Sequence, residues 1–114
     1  MVLLGKHILI DVSNIEEVDK IEKCEGLYDL MNEIIEEMKL NVFNYMCHNF
    51  QPYGCSMVYL LTESHMSIHT YPENSSISYD LYTCNKESDL NEICHIIYKY
   101  FNKKCRIVKK IVDR

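Results

Sequence analysis

Apolar and polar positions alternate with different periods along the chain, and each change of period marks an element. His7 to Val12 (HILIDV) is a β-rich run that predicts an opening strand, followed by an acidic, irregular connection from Glu16 to Gly26. Leu27, Met31, Ile34, Ile35 and Met38 then recur at three- and four-residue steps with Glu33, Glu36 and Glu37 between them, which predicts an amphipathic helix. Four extended segments follow, Val42 to His48, Cys55 to Thr62, His65 to Tyr71 and Ile77 to Thr83. Turn residues separate them at Pro52-Tyr53-Gly54 and at Pro72 to Ser76, and links this short imply antiparallel neighbours. Ser88 as N-cap and Asp89 in the first turn open a second helix, with Leu90, Ile93, Ile97, Tyr100 and Phe101 along one stripe; Cys105 to Val112 closes the chain as a strand. The expected fold class is α+β, a two-layer sandwich of a mainly antiparallel sheet with two helices on one face.

The period of two sorts the strand residues into a packing set and a chemical set. Met66 and Ile68 point one way and His65, Ser67 and His69 the other; Ile77, Tyr79 and Leu81 share a face opposite Ser78, Asp80, Tyr82 and Cys84. Two successive strands therefore each present a polar face with titratable groups, which needs water or a site to satisfy it.

At 114 residues, 47% apolar and 25% charged, the chain has the size and composition of one folded domain, residues 1–114. A net charge of -5 argues against a nucleic-acid partner, and the basic cluster Lys103, Lys104, Arg106, Lys109 and Lys110 reads as a solvated strand. No apolar run approaches the ~18 residues of a membrane span, and the N-terminus lacks a signal-peptide pattern. The expected location is cytoplasmic, with no membrane partner. The six cysteines, Cys24, Cys47, Cys55, Cys84, Cys94 and Cys105, lack C-x-x-C spacing and are expected to be free thiols in a reducing compartment.

The chemistry concentrates in F-Q-P-Y-G-C-S at Phe50 to Ser56, L-T-E-S-H-M-S-I-H-T-Y-P-E at Leu61 to Glu73, and Y-D-L-Y-T-C at Tyr79 to Cys84. In these three stretches, in order and at matching spacing, the sequence resembles prokaryotic-type S-adenosylmethionine decarboxylase proenzymes, which are pyruvoyl-dependent. The resemblance runs from Gly5-Lys6-His7 to the last strand. Departures are Met57 where a glycine is common, Tyr71 for tryptophan, Asn85 for glycine, and Asn74-Ser75-Ser76 after Glu73; they touch the pocket rim and leave the reacting groups intact.

The resemblance implies autocatalytic serinolysis between Glu63 and Ser64 into chains 1–63 and 64–114. The Ser64 hydroxyl attacks the preceding carbonyl, the amide becomes an ester, and elimination and hydrolysis leave a pyruvoyl group on residue 64, which then forms a Schiff base with the substrate. It also implies His69 as the processing proton acceptor with Ser56 in support, Cys84 as the proton donor in turnover, and Phe50, Glu73 and Asp80 as substrate-binding residues. The side chains suit these roles: an imidazole with an unperturbed pKa of about 6.5 takes and gives a proton near neutrality, and a thiol near 8.5 is mostly protonated and can donate. The implied substrate is S-adenosylmethionine, on the route to spermidine, and the implied assembly is a homodimer.

A pyruvoyl-dependent arginine or ornithine decarboxylase is the nearest alternative, and a non-catalytic paralogue the next, although Ser64, His69 and Cys84 are all retained. No metal site is expected. A zinc site of His65, His69 and a cysteine fails because residues four apart in a strand lie about 13 Å from each other.

Overall fold

The computed structural model describes residues 3–85 and 88–114. Six strands, β1 (Lys6–Ser13), β2 (Val42–Asn49), β3 (Cys55–Leu61), β4 (Ser64–Tyr71), β5 (Ser76–Thr83) and β6 (Arg106–Asp113), and two helices, α1 (Tyr28–Glu37) and α2 (Asn91–Phe101), carry the fold. The strands form one sheet in the order β2-β3-β4-β5-β1-β6, antiparallel throughout. β2 to β5 follow one another as a meander. β1, first in sequence, is inserted between β5 and β6.

Strand register turns the alternation of the sequence into one apolar layer. Tyr59 lies opposite Met66 and Met57 opposite Ile68; Met66 and Ile68 lie opposite Leu81 and Tyr79, and these opposite Ile8 and Ile10. Leu30, Met31 and Ile34 of α1 and Ile93, Ile97 and Phe101 of α2 close over this layer, all essentially without solvent contact. Each such side chain contributes about 1.5 to 3 kcal/mol by leaving water. The helices thus cover one face of the sheet, and the opposite face is left with the polar set.

Two sequence expectations change. Ser88 does not cap α2: the helix begins at Asn91, and the Asp89 carboxylate accepts the Asn91 N–H at 3.0 Å. A charged carboxylate held one residue nearer the helix takes the donor that Ser88 was expected to satisfy. The cysteines are not all free. Cys24 and Cys55, 31 residues apart in sequence, form a disulfide with Cα atoms 5.2 Å apart. The chain between them turns back along α1 and β2, so the start of β3 packs against the 3-10 turn Cys24–Leu27, a proximity that spacing does not reveal. The argument from free thiols to a reducing compartment falls with that pair. Cys47, Cys84, Cys94 and Cys105 remain thiols, the last two buried. Among the described residues no helix is long and apolar enough to cross a membrane.

Candidate active site

Thr62 and Glu63 are the two residues linking β3 to β4, and Leu61 pairs directly with Ser64 to close the hairpin. Glu63 is held at φ 58, the left-handed region that costs a residue with a Cβ roughly 1–2 kcal/mol. Ser64 follows at once, its hydroxyl donating to the Thr62 carbonyl at 3.2 Å. From the end of β5, the Cys84 thiol donates to the Glu63 carbonyl at 3.0 Å. The Glu63-Ser64 bond therefore lies at a strained turn whose carbonyl already carries a hydrogen-bond donor. Glu63, Ser64 and Cys84 line a cleft of about 320 Å³ completed by residues 38–41 after α1. The Tyr82 hydroxyl has its pKa raised, first by loss of water and then by its hydrogen bond to Cys84.

A second group gathers at the other end of β3 and β4. Ser56 and His69 are paired across the two strands, and Ser56 Oγ shares a 2.8 Å hydrogen bond with His69 Nδ1. Phe50, Gly54 and Glu73 join them around a pocket of about 340 Å³. The loop that brings Phe50 there is closed by the Phe50 N–H on the Gly54 carbonyl (2.8 Å) and anchored by the Gly54 N–H on the Glu22 carbonyl (2.7 Å). Gly54 sits at φ 114, where an L side chain is strained, so a glycine is needed at this position.

Asp80 lies outside both of these clefts, although it lines another beside His69. On the open face of the sheet its carboxylate binds His7 Nε2 at 2.7 Å through one oxygen and accepts the Ser67 hydroxyl through the other, with His65 Nε2 3.9 Å away. His7, His65 and Tyr82 pack ring against ring, and the Arg114 guanidinium lies 4.9 Å from the Tyr82 ring centre. Sequence reading placed Asp80 in a substrate pocket and did not single out His7. The residues are 73 positions apart, and only the insertion of β1 beside β5 joins them.

The expected site is thus assembled in two halves. Ser64 shares the parity of the buried Met66 and Ile68, whereas His69 lies on the opposite face. Five residues of strand separate them, about 16 Å. Within one chain His69 does not reach Ser64, and Phe50 and Glu73 lie near His69 rather than near Cys84.

An antiparallel sheet backed by two helices, with a strained Glu-Ser turn at its rim, matches known proteins along its whole length. A family model described as S-adenosylmethionine decarboxylase matches residues 6–114. The S-adenosylmethionine decarboxylase proenzymes of Aquifex aeolicus (strain VF5) and Persephonella marina (strain DSM 14350 / EX-H1) are each 36% identical over 111 residues, 97% of this chain and 81% and 82% of theirs. That of Archaeoglobus fulgidus is 27% identical over 99 residues, 87% of this chain and 88% of its own. The crystal structure of the adenosylmethionine decarboxylase from Aquifex aeolicus VF5 matches with a TM-score of 0.86 at 33% identity, covering 100% of this chain and 92% of that one. The fold and these relatives define a decarboxylase of the α+β sandwich type. The chain belongs to the S-adenosylmethionine decarboxylase family.

Proposed function

We propose that the chain is a proenzyme that cuts itself between Glu63 and Ser64 and then decarboxylates S-adenosylmethionine through the pyruvoyl group so formed, supplying an aminopropyl donor for spermidine synthesis. The observation that carries the reading is the Cys84 thiol on the Glu63 carbonyl, 3.0 Å away. Attack by the Ser64 hydroxyl places negative charge on that oxygen, and a donor already aimed at it stabilises the charge without reorganisation. The left-handed Glu63 raises the energy of the intact turn and is relieved once the bond opens.

The pyruvoyl group supplies an electron sink for the departing carboxylate. The chain's own side chains bind, orient and move protons. That Cys84 lines the same cleft as Ser64 supports its reading as the donor that protonates the substrate carbon. Phe50 offers a face on which an adenine stacks, and Glu73 a carboxylate for ribose hydroxyls.

A homodimer completes the site. The open face exposes Leu9, Met46, Val58 and Leu60 beside the titratable groups, an apolar surface that a second copy would cover. A two-fold axis sets the two β4 strands antiparallel, so that the His69 end of one copy meets the rim of its mate where Ser64 and Cys84 lie, and Ser56 and His69 of one copy serve Ser64 and Cys84 of the other.

Intact mass spectrometry tests both parts. The purified protein should resolve into residues 1–63 and 64–114, the second one ammonia lighter than its sequence. His69→Ala and Ser64→Ala should each remain uncut when expressed alone, while co-expression should restore cleavage in the His69→Ala chain, which keeps its serine and borrows the histidine. A wild-type chain that stays whole sinks the proenzyme reading; mixed dimers that stay whole sink the shared site.

A further inference from the structure

We propose that His7, His65 and Asp80 form a binding site for a borderline divalent cation of the zinc class on the open face of the sheet. Neighbouring strands β1, β5 and β4 contribute one residue each, and the three ligand atoms lie within 4.8 Å of one another. Asp80 Oδ2 is 2.7 Å from His7 Nε2 and 3.9 Å from His65 Nε2. Ligands about 2.0–2.2 Å from a tetrahedral ion lie about 3.4 Å apart, so these spacings bracket the required one and side-chain rotation alone closes the site. Ser67 donates to the other Asp80 oxygen, Oδ1, which leaves Oδ2 turned toward the imidazoles, the way outer partners fix a ligating carboxylate.

The donor set selects the metal. Two imidazoles with one carboxylate suit Zn²⁺, Co²⁺ or Ni²⁺, while Mg²⁺ and Ca²⁺ require oxygen ligands. Three protein ligands leave a coordination position open. His65 is 44% exposed in the single chain, so an ion can enter before a second copy covers this face. His65 also follows Ser64 directly, and an ion holding its ring would restrain the backbone on which the pyruvoyl group is to form.

The competing state is the direct His7–Asp80 hydrogen bond. Arg114 Nη1 stands 3.4 Å from His7 Nδ1, which places the ring proton on Nε2, facing Asp80. A cation at Nε2 displaces that proton to Nδ1, where it meets the guanidinium. Arg114 therefore opposes metal binding, a sign that a site in which it merely packs on Tyr82 would not show.

Titration of the purified protein, in its own oligomeric state, with Co²⁺ followed by visible absorption and with Zn²⁺ by calorimetry tests the proposal. One equivalent per chain is expected, with ligand-field bands and no near-ultraviolet thiolate charge transfer. His65→Ala, at a half-exposed position that tolerates truncation, and Asp80→Asn should weaken binding by more than the ~10- to 100-fold typical of losing an outer-shell partner, and Ser67→Ala by about that amount. Arg114→Ala should tighten it. Circular dichroism checks that each variant is folded. Absence of binding at millimolar Zn²⁺, affinity unchanged in folded His65→Ala, or a thiolate band showing that the cysteines hold the ion would each overturn the assignment. None of these readouts depends on self-cleavage or decarboxylation.

Discussion

Cys84 reaches the Glu63 carbonyl from the end of β5, a contact that argues for a part of the thiol in the proposed cleavage as well as in the proposed turnover. Removing one donor from an oxyanion site costs about 100- to 1000-fold in established cases, and a thiol is a weaker donor than an amide or hydroxyl. Cys84→Ala is accordingly expected to slow cleavage roughly tenfold to a hundredfold, and Cys84→Ser, which keeps a donor, far less. In turnover the order reverses in character: serine is too weak an acid to replace a thiol, so both variants, once cut, should release carbon dioxide about 10- to 1000-fold more slowly. Gel densitometry of the uncut chain over time and carbon dioxide release from the cut enzyme separate the two steps. Cleavage of Cys84→Ala at the native rate would remove the thiol from processing. The sequence singled out Ser64, His69 and Cys84 as candidates because the motif holds them at fixed local spacing. It could not show that Cys84 faces the Glu63 carbonyl, since that contact depends on how β5 ends beside the β3–β4 turn.

The strands owe their register to alternation, and alternation also buries two phenols. Tyr79 on β5 is 3% exposed with its hydroxyl on the Met66 sulfur, 3.5 Å away, and burial pushes its pKa far up. Tyr59 on β3, stacked on Tyr45, is pushed up to about 12, by burial first. In the unfolded chain both titrate near 10. Their folded pKa values are raised, so the stability they contribute is complete below about pH 10 and is lost as pH rises through their folded values. The urea midpoint should fall steeply in that alkaline window, and Tyr79→Phe should flatten the fall with little loss at neutral pH. A midpoint equally pH-sensitive in Tyr79→Phe would show that another group governs it. Elements were the most legible level of the sequence: both helices and all six strands were foreseen, with boundaries shifted by a few residues. Helix α2 starts later than Ser88 because capping is decided by which side chain meets a free N–H, and Ser88 and Asp89 are both competent.

For the whole molecule, period and turn length gave the layering of helices on an antiparallel sheet. The place of β1 between β5 and β6, the Cys24–Cys55 disulfide and the meeting of His7 with Asp80 all join residues distant in sequence, which periodicity does not encode. The division of the site into two ends of β4 was hidden for a related reason. A motif reads as one line, but successive strand residues point to opposite faces and advance about 3.3 Å each, so the motif from Leu61 to Glu73 spans two environments.

The two-residue turn at Thr62-Glu63 has a consequence for how the molecule can be made. It brings β3 and β4 together at the smallest loop-closure cost a hairpin allows, and those strands sit mid-sheet, so the link guides assembly. The cut proposed at Glu63 would then sever the connection that made folding fast. The mature protein would persist as two fragments held by strand pairing and packing, a state reached through a covalent precursor it can no longer regenerate. Refolding becomes bimolecular: after denaturation the fragments must find each other by diffusion. Diluted from urea, uncut Ser64→Ala should refold at a rate independent of concentration, whereas the cut protein should refold with second-order kinetics and a yield that falls on dilution. Concentration-independent recovery of the cut protein would show that β3 and β4 do not need their turn.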